Sequence, residues 1–149
     1  MTPPRIYPLG DAALVCEVPP PATLDCQRRV WAVAAAARAW PDVIDVVPGM
    51  NNLTIVFDPL AATADSLTPA LRDAWETADV EHADGREVEI PVEYGGVARP
   101  HLAPVAPHTG ASGDEGVAPH AARALLGVVL GFHPGFACLG GLHPSVHQP

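Results

Sequence analysis

Val43-Ile-Asp-Val-Val47 and Leu53-Thr-Ile-Val-Phe57 flank the five residues Pro48-Gly49-Met50-Asn51-Asn52. Both arms are apolar runs rich in β-branched residues, and the turn between them includes residues that tolerate positive φ, so the stretch predicts a β-hairpin. Upstream, residues 24–40 carry Leu24, Val30, Trp31, Ala34 and an alanine run to Ala37, with Thr23 placed to cap and Pro41 to stop the chain, which predicts a helix. Before it, residues 12–18 read as a strand, closed by Glu17 and the prolines at 19, 20 and 21. Downstream, a second helix starts at Asp65 or Ser66, repeats Leu67, Ala70, Leu71, Ala74 and Trp75 at helical spacing, and ends near Ala78. After a polar loop at Ala83-Asp84-Gly85, residues 86–92 alternate: Val88, Ile90 and Val92 on one face, Glu87, Glu89 and Glu93 on or near the other. The carboxylates of such a strand are solvated rather than catalytic.

The predicted order is β-α-β-β-α-β, an α+β arrangement of the ferredoxin-like, split βαβ kind, with a four-stranded antiparallel sheet and two helices on one face. This assigns residues 1–93 to a first domain and residues 94–149 to a second, with the boundary near 92–96. In the second part, short helices are expected at 102–108 and 114–122, interrupted by prolines at 104, 107 and 119, and a buried strand at 125–130. That strand runs into Gly131-Phe-His-Pro-Gly-Phe-Ala-Cys-Leu-Gly-Gly-Leu142, which alternates flexible residues with apolar anchors and reads as part of a site.

Composition restricts the function. The 17 acidic residues outnumber 8 basic ones, all of them arginine, and the formal net charge of −9 repels nucleic-acid backbones and acidic lipid surfaces. Residues 124–142 carry no formal charge, but five glycines, His133 and Pro134 argue against a membrane span. Cys16, Cys26 and Cys138 show no paired spacing, and the N-terminus lacks an apolar signal core, so a cytoplasmic protein with free, buried thiols is expected.

Several motifs occur in one order: Tyr7-Pro8-Leu9-Gly10-Asp11, Asp45-Val-Val-Pro-Gly49, Ile90-Pro-Val-Glu-Tyr-Gly-Gly96, His120 and the loop at 131–142. Taken together they resemble the family of the 5-oxoprolinase B subunit, also called allophanate hydrolase subunit 1 and the Kip-type sporulation-kinase inhibitor. The resemblance implies a ferredoxin-like domain followed by a cyclophilin-like β-barrel. It also implies ATP-dependent opening of 5-oxoproline to glutamate, or the related carboxyl-transfer part of urea-carboxylase-like enzymes, carried out with a C-type carboxyltransferase partner and an A-type hydrolase partner. The family usually continues beyond this length, through Pro-Arg and Pro-Gly-Gly-Trp motifs, so a truncated chain holding only the start of the barrel is expected. Cys138 stands where an aromatic is usual, and Arg99 and His101 replace a common Gly-Pro-Asp stretch.

His120 matches a histidine that recurs in the family, which makes it the candidate acid/base or ligand-orienting group, with a structural role as the alternative. The candidate ligand-binding residues are Gly131, Phe132, His133, Pro134, Gly135, Phe136, Gly140 and Gly141, a loop that could present several backbone N–H groups to a carboxylate or phosphoryl oxygen. Within this set His133 faces either ligand or solvent, and the two phenylalanines serve either as core plugs or as stacking partners. Gly10-Asp11 is a turn or part of an inter-subunit surface. No phosphate-binding loop ending in Lys-Ser or Lys-Thr is present, so ATP would depend on arginine, backbone amides or the partner. No metal is expected, since Pro144 breaks the helical spacing of His143 and His147. Two other functions fit the same sequence: a regulator that inhibits a sensor histidine kinase, and a non-functional fragment with apolar surface exposed over 125–142.

Overall fold

The computed structural model describes residues 3–80, 85–94, 113–131 and 133–146. The chain divides into two compact units, Met1–Asp84 and Gly85–Pro149, a division upstream of the 92–96 boundary suggested by the sequence.

The first unit contains β1 (Arg5–Pro8), β2 (Ala13–Glu17), α1 (Leu24–Ala37), β3 (Val43–Pro48), β4 (Asn52–Phe57) and α2 (Ala64–Thr77). Its four strands form an antiparallel sheet in the order β1-β2-β4-β3. The hairpin, both helices and the strand before α1 therefore form as expected. The fourth strand does not come from residues 86–92. That segment carries no regular secondary structure, and its Val88, Ile90 and Val92 are exposed. The place beside β2 belongs instead to β1, whose Ile6 and Tyr7 face Cys16 and Val15. A hairpin partner close in sequence closes a far shorter loop than a strand arriving after α2 would. The element order of this unit is thus β-β-α-β-β-α.

Alternate residues of the central strands, Leu14 and Cys16 on β2 and Leu53, Ile55 and Phe57 on β4, form one buried cluster with Val30, Val33, Ala34 and Ala37 of α1 and Leu67, Leu71 and Trp75 of α2. Both helices therefore cover the same face of the sheet. Thr23 caps α1, its hydroxyl accepting the Cys26 N–H at 3.2 Å. At α2 the cap is Thr63, just upstream of the start read from the sequence. Its hydroxyl accepts the Ser66 N–H at 3.1 Å, while the Ser66 hydroxyl accepts the Thr63 N–H at 3.0 Å. Gly10, at φ 63°, turns the chain between β1 and β2, which gives Gly10-Asp11 its turn role.

Among the described residues of this unit, one polar side chain is buried. Gln27, 2% exposed, donates from Nε2 to the Gly49 carbonyl at 3.0 Å and accepts the Asn51 N–H on Oε1 at 3.2 Å. The amide thus satisfies two backbone groups of the β3–β4 turn from the side of α1. Asn51 adopts φ 57°, and its carbonyl accepts the Val18 N–H at 2.8 Å, tying the same turn to the end of β2.

Cys16 and Cys26 are free and buried, while Cys138 is free and half-buried. Burial, assisted by the neighbouring Cys26 thiol, pushes Cys16 up to about 12 from an ordinary 9.0, and burial also raises Cys26. A raised folded-state value means that the neutral thiol is favoured by folding. Its contribution is complete below pH 9.0 and is lost as pH climbs toward about 12. Thermal melts should therefore fall in this alkaline window, and the fall should shrink in Cys16→Ala. At neutral pH a thiol reagent should modify Cys138 on the native chain, with Cys16 and Cys26 reacting only after unfolding. Equal labelling of all three in the native state would contradict the burial argument.

The described residues of the second unit form α3 (Gly113–Ala121), an antiparallel pair of β5 (Leu126–Leu130) and β6 (Ala137–Gly140), and a 3-10 turn over Pro144–Val146. The helix expected at 114–122 corresponds to α3, and the strand expected at 125–130 to β5, which is not the buried strand expected: of its residues only Val128 is buried. The helix expected at 102–108 lies outside the described residues. Leu130 and Leu139 are exposed on the β5–β6 ribbon.

Candidate functional site

α3 carries His120 in its last turn. The imidazole is exposed, and its Nδ1 lies 2.5 Å from the Tyr94 hydroxyl, with the two rings edge to face at a centroid distance of 5.6 Å. A hydrogen bond and a T-shaped ring contact together fix the orientation of an imidazole that solvent alone would leave to rotate. When the phenol donates to Nδ1, the ring proton resides on Nε2, which points a donor away from Tyr94. Tyr94 is the functional candidate that sequence reasoning misses. The pair is separated by 26 residues, and along the chain Tyr94 stands out only as part of the motif over residues 90–96.

The glycine-rich loop joins β5 to β6. The Gly131 N–H donates to the Phe136 carbonyl at 3.1 Å, the His133 N–H to the Gly131 carbonyl at 2.9 Å and the Phe136 N–H to the His133 carbonyl at 3.0 Å. Three of the amides considered for anion contacts thus donate within the loop. Gly135 sits at φ 80° and Gly141 at φ 94°, backbone positions at which a β-carbon is strained. Gly131, His133, Pro134, Gly135 and Phe136 are all exposed, while Gly140 is half-buried beside Val128. Phe136 is 53% exposed, so it is no core plug. Phe132 lies outside the described residues.

The structure therefore joins His120 to Tyr94, and His133 to Gly131 and Phe136. His143 is occupied locally: its Nδ1 accepts the Ser145 N–H at 3.2 Å and lies 2.8 Å from the Ser145 hydroxyl. Because a backbone N–H can only donate, Nδ1 of His143 carries the lone pair in this turn. His147, its i+4 companion in the sequence, lies outside the described residues. Among the described residues, no three His, Cys, Asp or Glu side chains gather as a metal site, and no helix is long and apolar enough to cross a membrane.

Comparison with known proteins gives a consistent relationship. The chain is 38% identical to the B subunit of 5-oxoprolinase from Escherichia coli O157:H7 over 145 residues, which cover 97% of this chain and 66% of that protein. It is 36% identical to the B subunit of 5-oxoprolinase from Haemophilus influenzae, covering 97% of this chain and 68% of that one. The chain thus spans about two thirds of the length of these curated relatives. Among solved structures, the crystal structure of TTHA0988 superposes with a TM-score of 0.71 at 30% identity, over 92% of this chain and 26% of that one. The described elements accordingly follow an architecture already observed by crystallography. With residues 4–149 matching the family described as carboxyltransferase domain, subdomain C and D, the chain belongs to that family.

Proposed function

We propose that this chain acts as the B-type component of a 5-oxoprolinase, an assembly that hydrolyses the lactam C–N bond of 5-oxoproline to give glutamate while ATP is consumed. The observation that carries this reading is the 38% identity to a 5-oxoprolinase B subunit, spread across 97% of the chain. The partners in this proposal are a C-type carboxyltransferase and an A-type hydrolase, in the cytoplasm. Its first part keeps the ferredoxin-like layering, two helices on one face of a four-stranded antiparallel sheet, with β1 in the outer-strand place, and residues 94–149 begin its cyclophilin-like part.

Within that assembly His120 is the acid/base group, held by Tyr94 through Nδ1 so that Nε2 faces the reacting molecule. The loop residues Gly131, Phe132, His133, Pro134, Gly135, Phe136, Gly140 and Gly141 form a wall of the ligand site. The closed hydrogen bonding at Gly131, His133 and Phe136 favours a role in shape over one in anion stabilisation. The described residues do not fit a nucleotide by themselves: the chain has no lysine, and these loop amides are already used. Handling of ATP is therefore assigned to the partners, and no step on this chain is routed through it.

The reading is tested by mixing the chain with purified C-type and A-type partners, ATP and 5-oxoproline, and measuring glutamate. The expected result is glutamate formed only when all components are present. A mixture that stays silent while a B-type chain of known activity restores turnover in the same partners would refute the assignment.

A further inference from the structure

Arg29 of α1 and Arg72 of α2 line one cavity of about 390 Å³, together with Pro3, Pro4, Trp75 and Glu76. Arg29 is partly committed. Its Nη1 donates to the Trp75 carbonyl at 2.5 Å, one of the carbonyls that the last turn of α2 cannot pair internally, and its guanidinium lies 5.9 Å from the Trp75 ring centroid. Its Nε is buried and has no hydrogen-bond partner among the described residues. A buried, charged donor left unpaired is costly, and a ligand acceptor would remove that cost. Arg72, by contrast, is exposed.

The wall has a specific chemistry. Two guanidinium groups stand against the single carboxylate of Glu76, which leaves a net positive lining on a chain whose formal charge is −9. Guanidinium groups match the planar geometry of a carboxylate. Trp75 and the two prolines add flat apolar surface, and the volume lies in the range of small-molecule sites. Glu76 on the same wall disfavours a dianion such as phosphate more than a monoanion.

We propose that this cavity binds a small monocarboxylate with a planar apolar body, its carboxylate between Arg29 and Arg72 and its body against Pro3, Pro4 and Trp75. The proposal concerns the first unit alone, and it stands or falls independently of the 5-oxoprolinase reading, since its test needs neither partner proteins nor ATP.

Benzoate is a suitable probe, titrated into the whole isotope-labelled chain while the Trp75 indole and Arg29 Nε–H resonances are followed. A saturable shift of both is expected, with a Kd of about 0.1–10 mM, as befits a ligand of this size. Arg72→Gln, an exposed substitution whose melting curve should match the unsubstituted chain, should weaken binding at least about tenfold through loss of a charge-assisted contact. Arg28→Gln, which removes an arginine paired with Asp25 at 3.5 Å and outside the cavity lining, should leave binding unchanged. Inorganic phosphate should bind more weakly than benzoate. The proposal is overturned if neither resonance shifts up to about 50 mM benzoate. It is equally overturned if Arg72→Gln binds as well as the original chain, or if phosphate competes as strongly as the carboxylate.

Discussion

Gln27→Leu should lower the unfolding free energy of the first unit by about 2–4 kcal/mol, one of the largest effects available to a single substitution in this chain. Leucine preserves volume but offers no hydrogen-bonding atom, so the half-buried Gly49 carbonyl and Asn51 N–H lose their partner. A backbone group shielded from water and left unpaired costs about 1–3 kcal/mol, and leucine's more favourable burial returns only part of the sum. For a unit of this size the corresponding drop in melting temperature is about 10–25 °C. Gln27→Glu separates the two bonds, because it keeps the acceptor for Asn51 and loses the donor to Gly49. It also introduces a buried charge at neutral pH, so its stability should recover on acidification, when the carboxyl regains a proton to donate. Urea unfolding monitored at the tryptophans gives both values. A change within about 0.5 kcal/mol for Gln27→Leu would mean that the turn holds its shape without help from α1.

In the reconstituted assembly, His120→Asn should reduce glutamate formation at least about 100-fold, the lower range for losing a positioned acid/base group. Tyr94→Phe should reduce it less, about tenfold, since the phenol acts only through the imidazole it orients. A purely structural histidine would give another pattern, in which both variants lower melting temperature and leave turnover per folded molecule unchanged. Nitrogen NMR of His120 supplies the readout that a packing role would not move. With the phenol present the proton should reside on Nε2, and Tyr94→Phe should shift the tautomer balance toward an even mixture. Retention of the same tautomer in Tyr94→Phe would remove Tyr94 from the proposal and leave His120 to be judged on turnover.

The parts of the fold that are legible in the sequence are those set by neighbours along the chain. The Val43–Phe57 hairpin is written in two apolar arms and a turn with Asn51 at positive φ, and α1 in an alanine-rich run behind a Thr23 cap. The beginning of α2 is less legible because Asp65 and Ser66 are also good capping types. The reciprocal Thr63–Ser66 bonds decide the matter, and they depend on backbone geometry that a residue string does not specify. β1 escapes a sequence reading because it spans four residues and ends at Pro8, close to the minimum for a strand. Residues 86–92 mislead in the opposite way. Their alternation is real, but alternation states only which side chains share a face and leaves the pairing strand unnamed. At the candidate site, His120 can be singled out and Tyr94 cannot, since two residues 26 apart meet only once α3 has been placed within its unit.

The tip of the β3–β4 hairpin is fastened on two sides, by Gln27 from the helix and by Val18 from the neighbouring strand. Its length is consequently fixed to the residue, and an added or deleted amino acid there would break both ties at once. The bend at Gly10-Asp11, at the opposite end of the sheet, carries no such obligations and lies open to water. For anyone attaching a reporter or splicing in a peptide, the second bend is the permissive address and the first is closed.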